Sequence, residues 1–204
     1  MYKTITYIIK DDVAIITLSN PPSNILSFQF FDELSDIVFN RLAHDSYSGL
    51  IIQSEGRHFS QGSEIKELIK SVKENSEIET SQILLNNLKT FNALRSLNKI
   101  KVALIKGICY GSGFELALCA DYRIASRNAL VCLPETSFGL MPGLGGVFSV
   151  TTISGQAKAM DFILSGNALN SEEALKCNLI NEIAEKENLL NAGFDYIKLN
   201  FNSR

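Results

Sequence analysis

The sequence has no tryptophan, two histidines and four cysteines. The histidines, His44 and His58, are too few and too far apart in the chain to suggest a metal site, so no bound metal is expected. The cysteines show no Cys-x-x-Cys spacing, and the first residues lack the apolar run and cleavage site of a secretory signal. This pattern is typical of reduced thiols, and we expect a cytoplasmic protein without disulfide bonds.

Long apolar runs and an excess of basic residues are also missing. No stretch approaches the roughly 18 apolar residues of a membrane span, so no membrane association is expected. Nineteen basic and 22 acidic side chains give a net charge of −3, which argues against nucleic acid as a partner. The 204 residues are 46% hydrophobic and 20% charged, which suits a single domain with a sizeable core.

Apolar strands alternate with amphipathic helices along the chain. The predicted strands are 5–9 and 13–18, joined as a hairpin through Lys10-Asp11-Asp12, followed by 49–53, 102–108, 122–125 and 179–183. The predicted helices are 28–43 capped by Ser27, 79–97, 114–119, 146–153, 156–165, a short helix capped near Asn170 or Ser171, and a terminal helix. Residues 67–80 are highly charged and are expected to form a mobile excursion. The alternation predicts an α/β fold built from βαβ units.

A glycine-rich turn joins a buried strand to a helix at Gly107–Leu116. Free N–H groups in the first turn of such a helix stabilise an anion, either a phosphate or the oxyanion of a thioester enolate. A tight turn packed closely for steric reasons explains the same glycines equally well. The stretch is neither a Walker A loop nor a complete Gly-x-Gly-x-x-Gly motif.

A second loop, Phe59–Lys66, also follows a buried strand and contains Gly62. Two such loops on neighbouring parallel strands can direct two backbone N–H groups at one point, as in an oxyanion hole. Taken alone, this loop is more typical of an ordinary surface turn before a helix.

Two glutamates form a candidate acid–base pair. Glu115 lies among apolar residues in a short helix, where a carboxylate needs a specific reason. Glu135 follows Pro134 twenty residues later, and taken alone it is typical of a solvated loop. Two carboxyl groups close together in an apolar pocket have separated pKa values and can divide acid and base roles.

Three motifs together resemble the crotonase superfamily, the enoyl-CoA hydratase/isomerase family. They are Phe59-Ser60-Gln61-Gly62-Ser63-Glu64-Ile65-Lys66-Glu67, the block from Lys106-Gly107 through Asp121, and the block from Pro134-Glu135 through Gly146. The resemblance runs from about residue 3 to residue 185. It implies a crotonase-like (ClpP/crotonase) spiral of ββα turns that assembles as a homo-oligomer, a trimer or a hexamer.

The resemblance also implies roles by position. The N–H groups of Ser63 and Ser112 would form the oxyanion hole, and Glu115 and Glu135 would be the two catalytic glutamates. The residues expected to bind substrate are Ser60, Gln61, Gly62, Glu64, Ile65, Lys66 and Gly111. The implied reaction is addition of water to a 2-enoyl thioester in fatty acid metabolism. No cofactor is expected, because coenzyme A enters only as part of the substrate.

Alternatives and departures from the family pattern accompany this prediction. An isomerase or decarboxylase of the same fold, acting on a coenzyme A or acyl-carrier-protein thioester, is the first alternative, and a non-catalytic thioester-binding subunit is the second. The polar residues that hydratases often have after Gly145-Gly146 are replaced by Val147–Val150. Typical members are longer, so we expect one crotonase-like domain over 1–204, shortened at its C-terminus and largely without the usual helical extension.

Overall fold

The computed structural model describes residues 2–201, so Met1 and the last three residues of the predicted domain lie outside the described part. The strands are β1 Ile5–Lys10, β2 Val13–Leu18, β3 Gly49–Ser54, β4 Ile100–Ile105, β5 Ile108–Tyr110, β6 Tyr122–Ser126, β7 Leu130–Cys132, β8 Leu169–Asn170 and β9 Glu182–Ala184. The helices are α1 Phe28–Asp36, continued by a π-helical turn Ile37–Arg41, α2 Ile65–Glu74, α3 Glu77–Ser96, α4 Ser112–Ala117, α5 Gly146–Ser154, α6 Gln156–Ser165, α7 Ser171–Lys176 and α8 Leu189–Phe201. Two 3₁₀ turns cover Glu135–Phe138 and Lys186–Asn188.

Two sheets organise the described residues. The larger has the order β1-β2-β3-β4-β6-β9, in which β1 and β2 are antiparallel and all later neighbours are parallel. The smaller has the order β5-β7-β8. Every residue of β2 and β4 is buried, as expected for strands covered on both faces. This architecture confirms the predicted α/β fold.

The first elements follow from local sequence signals. Asp11 and Asp12 both adopt positive φ, +50° and +62°, in the two-residue turn between β1 and β2. The Ser27 hydroxyl accepts a hydrogen bond from the N–H of Phe30 at 3.3 Å and caps α1. The predicted hairpin and the predicted helix start are therefore confirmed.

The single strand predicted over 102–108 is wrong, because the chain bends at Gly107. This glycine has φ +53°, and a Cβ placed on it would lie 2.5 Å from the carbonyl oxygen of Arg57. Only glycine fits this close approach and this conformation. The bend ends β4 in the larger sheet and starts β5 in the smaller one, and β5 leads into the turn before α4.

Residues 67–80, where a mobile excursion is expected, form most of α2 and the start of α3. Glu64 caps α2 by accepting from the N–H of Lys66, and Ser76 and Glu79 form a reciprocal capping box at the start of α3. The strand predicted at 179–183 is shorter and later, over Glu182–Ala184. Within residues 2–201, no helix has the length and apolar character needed to cross a membrane.

Candidate active site

The two glycine-containing loops identified in the sequence lie against each other. The N–H of Tyr110 donates to the carbonyl of Ser60 at 3.0 Å, and the N–H of Ser60 donates to the carbonyl of Ile108 at 3.1 Å. A Cβ placed on Gly62 would lie 3.8 Å from Cα of Gly111, so the two bends are in van der Waals contact. Both glycines have positive φ, +96° and +53°, which explains why glycine occupies these positions.

A backbone N–H without a partner follows each of these glycines. The carbonyl of Gly62 and the N–H of Glu64 both bond to Leu26, so the N–H of Ser63 between them points to the opposite side. Ser112 is the first residue of α4, where no intrahelical acceptor exists for its N–H. Across residues 2–201, neither N–H has a hydrogen-bond acceptor. The hydroxyl oxygens of these two serines are 2.7 Å apart, so the two residues adjoin across the contact between the loops.

Glu115 is fixed by main-chain donors. Its side chain is 2% exposed, and its Oε1 accepts from the N–H groups of Leu144 and Gly146, both at 2.8 Å. A Cβ placed on Gly146 would lie 2.9 Å from that oxygen, which explains the glycine at this helix start. Burying a carboxyl group in an apolar helix is costly unless it is hydrogen-bonded. The two N–H groups supply these bonds for Glu115.

Arg95, at the end of α3, supports the segment that binds Glu115. Its Nη2 donates to the carbonyl of Leu144 at 3.2 Å, and its Nη1 donates to Oδ1 of Asn92 at 2.7 Å. A Cβ placed on Gly145 would lie 2.8 Å from Nη2, so the guanidinium packs directly on that glycine. The sequence reasoning missed Arg95; the Gly145-Gly146 pair was its one visible signal, because the absence of side chains there leaves room for both groups.

Glu135 approaches the same place from the smaller sheet. It starts the 3₁₀ turn after β7, and a Cβ placed on Gly111 would lie 3.2 Å from its Oε1. Its Oε2 is buried and has no hydrogen-bond partner among the described residues. The structure thus brings the two predicted glutamates and the two loops together around Gly111.

Burial perturbs both carboxyl groups. It raises the pKa of Glu115 to about 7, and the nearby Glu135 acts in the same direction. The N–H groups of Gly146 and Leu144 and the charge of Arg95 oppose this rise by stabilising the carboxylate. Burial also raises the pKa of Glu135. Two neighbouring carboxyl groups with raised pKa values are suited to acid–base chemistry.

The other residues predicted to bind substrate range from fully buried to exposed. Ser60 is fully buried, and its hydroxyl donates to the carbonyl of Asn24 at 2.7 Å while accepting from the N–H of Gly62 at 3.1 Å. Its side chain therefore shapes the loop. Glu64 is half-buried at the cap of α2. The exposed members of the set are Gln61, Ile65 and Lys66.

The chain resembles known proteins over nearly all of its length. A family model described as enoyl-CoA hydratase/isomerase matches residues 9–198. A curated relative from Bacillus subtilis, described as a probable enoyl-CoA hydratase, is 34% identical over 189 residues, or 89% of this chain and 72% of that protein.

The chain is also similar to solved structures over nearly all of its length. A Bacillus halodurans enoyl-CoA hydratase has a TM-score of 0.90 at 29% identity, covering 99% of this chain and 81% of that one. A Thermobifida fusca protein solved in complex with acetoacetyl-CoA has a TM-score of 0.87 at 26% identity, covering 98% and 81%. Other curated relatives are much larger, and this chain spans between 21% and 24% of their length.

Proposed function

Because the chain belongs to the enoyl-CoA hydratase/isomerase family of the crotonase superfamily, we propose that it is a hydro-lyase that adds water to a 2-enoyl thioester of coenzyme A. The observation that carries this proposal is the convergence of two carboxyl groups with raised pKa values, Glu115 and Glu135, beside two unpartnered N–H groups. Hydration needs both a proton acceptor for water and a proton donor for carbon, and the glutamate pair supplies one of each.

The N–H groups of Ser63 and Ser112 are proposed to bind the thioester carbonyl oxygen. As water attacks Cβ, the electrons of the double bond move through Cα and charge develops on this oxygen as the enolate forms. Preorganised donors stabilise that charge more than they stabilise the neutral carbonyl, so they lower the barrier. Their backbone origin means that a serine side chain at either position leaves the donor in place.

The two glutamates are proposed to move the protons. One carboxylate removes a proton from water as its oxygen bonds to Cβ, and the other, protonated, delivers its proton to Cα as the carbonyl re-forms. The net change is one water added across the double bond, with the total proton count of the pair unchanged. The anchoring of Glu115 through a single oxygen supports this role, since Oε2 is left out of those two bonds.

The exposed start of α2, with Ile65 and Lys66, is proposed to contact the coenzyme A portion of the substrate. Its position directly after Ser63 supports this, because a thioester bound at that N–H would continue past the beginning of this helix. A lysine there also complements the negative charge of the phosphates.

The test is hydration of crotonyl-CoA by the wild-type chain and by Glu135→Gln. We expect the variant to lose about 10²- to 10⁴-fold in kcat, because one acid–base group is removed, while its affinity for the thioester changes little. Glu187→Gln is the matched control, since Glu187 lies in the other 3₁₀ turn and is exposed. Unchanged turnover by Glu135→Gln would exclude the assigned role.

A parallel assay with 3-enoyl-CoA distinguishes hydratase from isomerase chemistry. An isomerase moves one proton between two carbons and needs one carboxylate, whereas hydration uses both. We therefore expect Glu115→Gln to abolish hydration. Isomerisation that survives this substitution, together with no hydration by wild type, would favour the isomerase.

The chain is proposed to assemble as a trimer or a hexamer. Apolar side chains on neighbouring helices support it, because Phe148 on α5 and Met160 and Leu164 on α6 are each more than half exposed, at 68%, 51% and 60%. Exposed apolar surface of this kind is typical of protein interfaces. Sedimentation velocity over a range of concentrations measures the state directly, and a purely monomeric chain would contradict the proposal.

A further inference from the structure

The side chains of Ser63 and Ser112 form a hydrogen-bonded pair beside the proposed oxyanion hole. Their hydroxyl oxygens are 2.7 Å apart, the usual distance for one hydroxyl donating to another. Ser112 is 6% exposed and Ser63 is half-buried, so solvent competes little for the pair. The bond links the two loops at the residues whose N–H groups are free.

The pair has one hydroxyl proton more than the bond between its two oxygens uses. Each hydroxyl has one proton to donate, and the bond between the two oxygens uses one of the two protons. Within the described chain, neither hydroxyl has a further hydrogen-bond partner. One hydroxyl proton is therefore left over, next to two N–H groups that also have no acceptor.

We infer that this hydroxyl pair supplies a third hydrogen bond to the thioester oxygen, alongside the N–H groups of Ser63 and Ser112. The inference rests on the proposed function, because it requires the thioester carbonyl oxygen to bind at the N–H groups of Ser63 and Ser112. Only two carbon atoms separate the nitrogen of a serine from its hydroxyl oxygen, so an atom bonded to the N–H is within reach of the hydroxyl. A hydroxyl whose oxygen already accepts a hydrogen bond is also polarised toward donating its own proton.

The pair predicts a particular pattern of mutational effects. Ser63→Ala or Ser112→Ala alone leaves one hydroxyl, whose proton is then free to donate to the thioester oxygen. Each single variant therefore loses mainly the polarisation of that hydroxyl by its former partner. The double variant has no hydroxyl donor left. Hydrogen bonds to charged groups are strong, and we expect the double variant to lose about 10- to 100-fold in kcat for crotonyl-CoA hydration, more than the product of the single effects.

Binding measurements separate this inference from the proposed function. Acetoacetyl-CoA has a thioester oxygen and free coenzyme A has none, so calorimetric titration compares the two without any turnover. We expect the double variant to bind acetoacetyl-CoA about tenfold more weakly and free coenzyme A as well as wild type does. If wild type hydrates no enoyl thioester but this difference is found, the proposed reaction fails and the hydroxyl donor stands.

Ser71→Ala is the matched control. Ser71 is 5% exposed, and its hydroxyl is likewise bonded to a side chain, accepting from Nδ2 of Asn75 at 2.9 Å. It lies within α2, outside both glycine-containing bends. We expect its kcat to equal that of wild type. A double variant of Ser63 and Ser112 with kcat within about twofold of wild type, or faster, would overturn the inference, because the hydroxyls would then be neutral or would obstruct the hole.

Discussion

Replacing Glu115 by glutamine is expected to stabilise the fold, and to do so only where the carboxyl group would be ionised. The glutamine oxygen can accept the same two N–H bonds from Leu144 and Gly146, so the packing is retained. What changes is the cost of burying a charge. Burial raises the pKa of Glu115 from 4.5 to about 7 in the folded chain.

Proton linkage determines how the contribution of Glu115 to stability changes with pH. The raised pKa means that the folded state holds the Glu115 proton more tightly, so this group favours folding fully below pH 4.5, and its contribution is lost as pH rises through about 7. At about pH 8 the ionised carboxylate costs about 3 kcal/mol, at about 1.4 kcal/mol for each pKa unit. At about pH 5 the same carboxyl group costs less than ~1 kcal/mol of folding free energy.

The assay is urea unfolding of wild type and Glu115→Gln, followed by circular dichroism because the chain has no tryptophan. We expect the stability difference between variant and wild type to grow in favour of the variant by about 2–3 kcal/mol between about pH 5 and about pH 8. Glu33→Gln is the control. Burial alone would raise the pKa of Glu33, but hydrogen bonds from Thr4 and Lys3 outweigh it and lower this pKa. Glu33 is therefore ionised throughout this range, and the stability difference between Glu33→Gln and wild type should stay nearly constant. A Glu115→Gln difference that is equal at both pH values, or that shrinks toward pH 8, would refute the reasoning.

Three further outcomes are expected. Arg95→Met removes a cation that stabilises the Glu115 carboxylate, so the acidic limb of the pH–rate profile should move to higher pH, and Arg95→Lys should move it less. Gly62→Ala should lower both the melting temperature and kcat, because its φ is +96° and the new Cβ would lie 3.0 Å from the carbonyl oxygen of Tyr110. Phe91→Ala should reduce the free energy of unfolding by about 3–5 kcal/mol in urea titrations, since Phe91 is fully buried in the core.

Sequence reasoning succeeded where a signal and its structure lie close together in the chain. The Lys10-Asp11-Asp12 turn and the Ser27 cap each act within a few residues, so local conformational preference determines them. It failed at Gly107, where the bend depends on the carbonyl of Arg57 fifty residues away. The helical structure of residues 67–74 was not predicted because charge dominates this stretch, although Ile69 and Val72 mark one side of the helix.

The two candidate carboxyl groups could be predicted from the sequence, whereas the groups that hold Glu115 in place could not. Glycines and an isolated glutamate are visible in a sequence, and Glu115 and Glu135 do come together. The groups that bind Glu115 are main-chain N–H groups, which every residue except proline has, so no letter of the sequence marks them. The hydroxyl contact between Ser63 and Ser112 is likewise visible only once both loops are in place.

The spacing of these contacts has a consequence for refolding. Glu115 is 29 and 31 residues from its two donors, and the paired serines are 49 residues apart. Helices gain their structure from neighbouring residues, whereas contacts of this separation form only when distant segments have docked. After dilution from urea, helical signal should therefore return before thioester binding does, which makes ligand affinity a reporter of the last stage of folding.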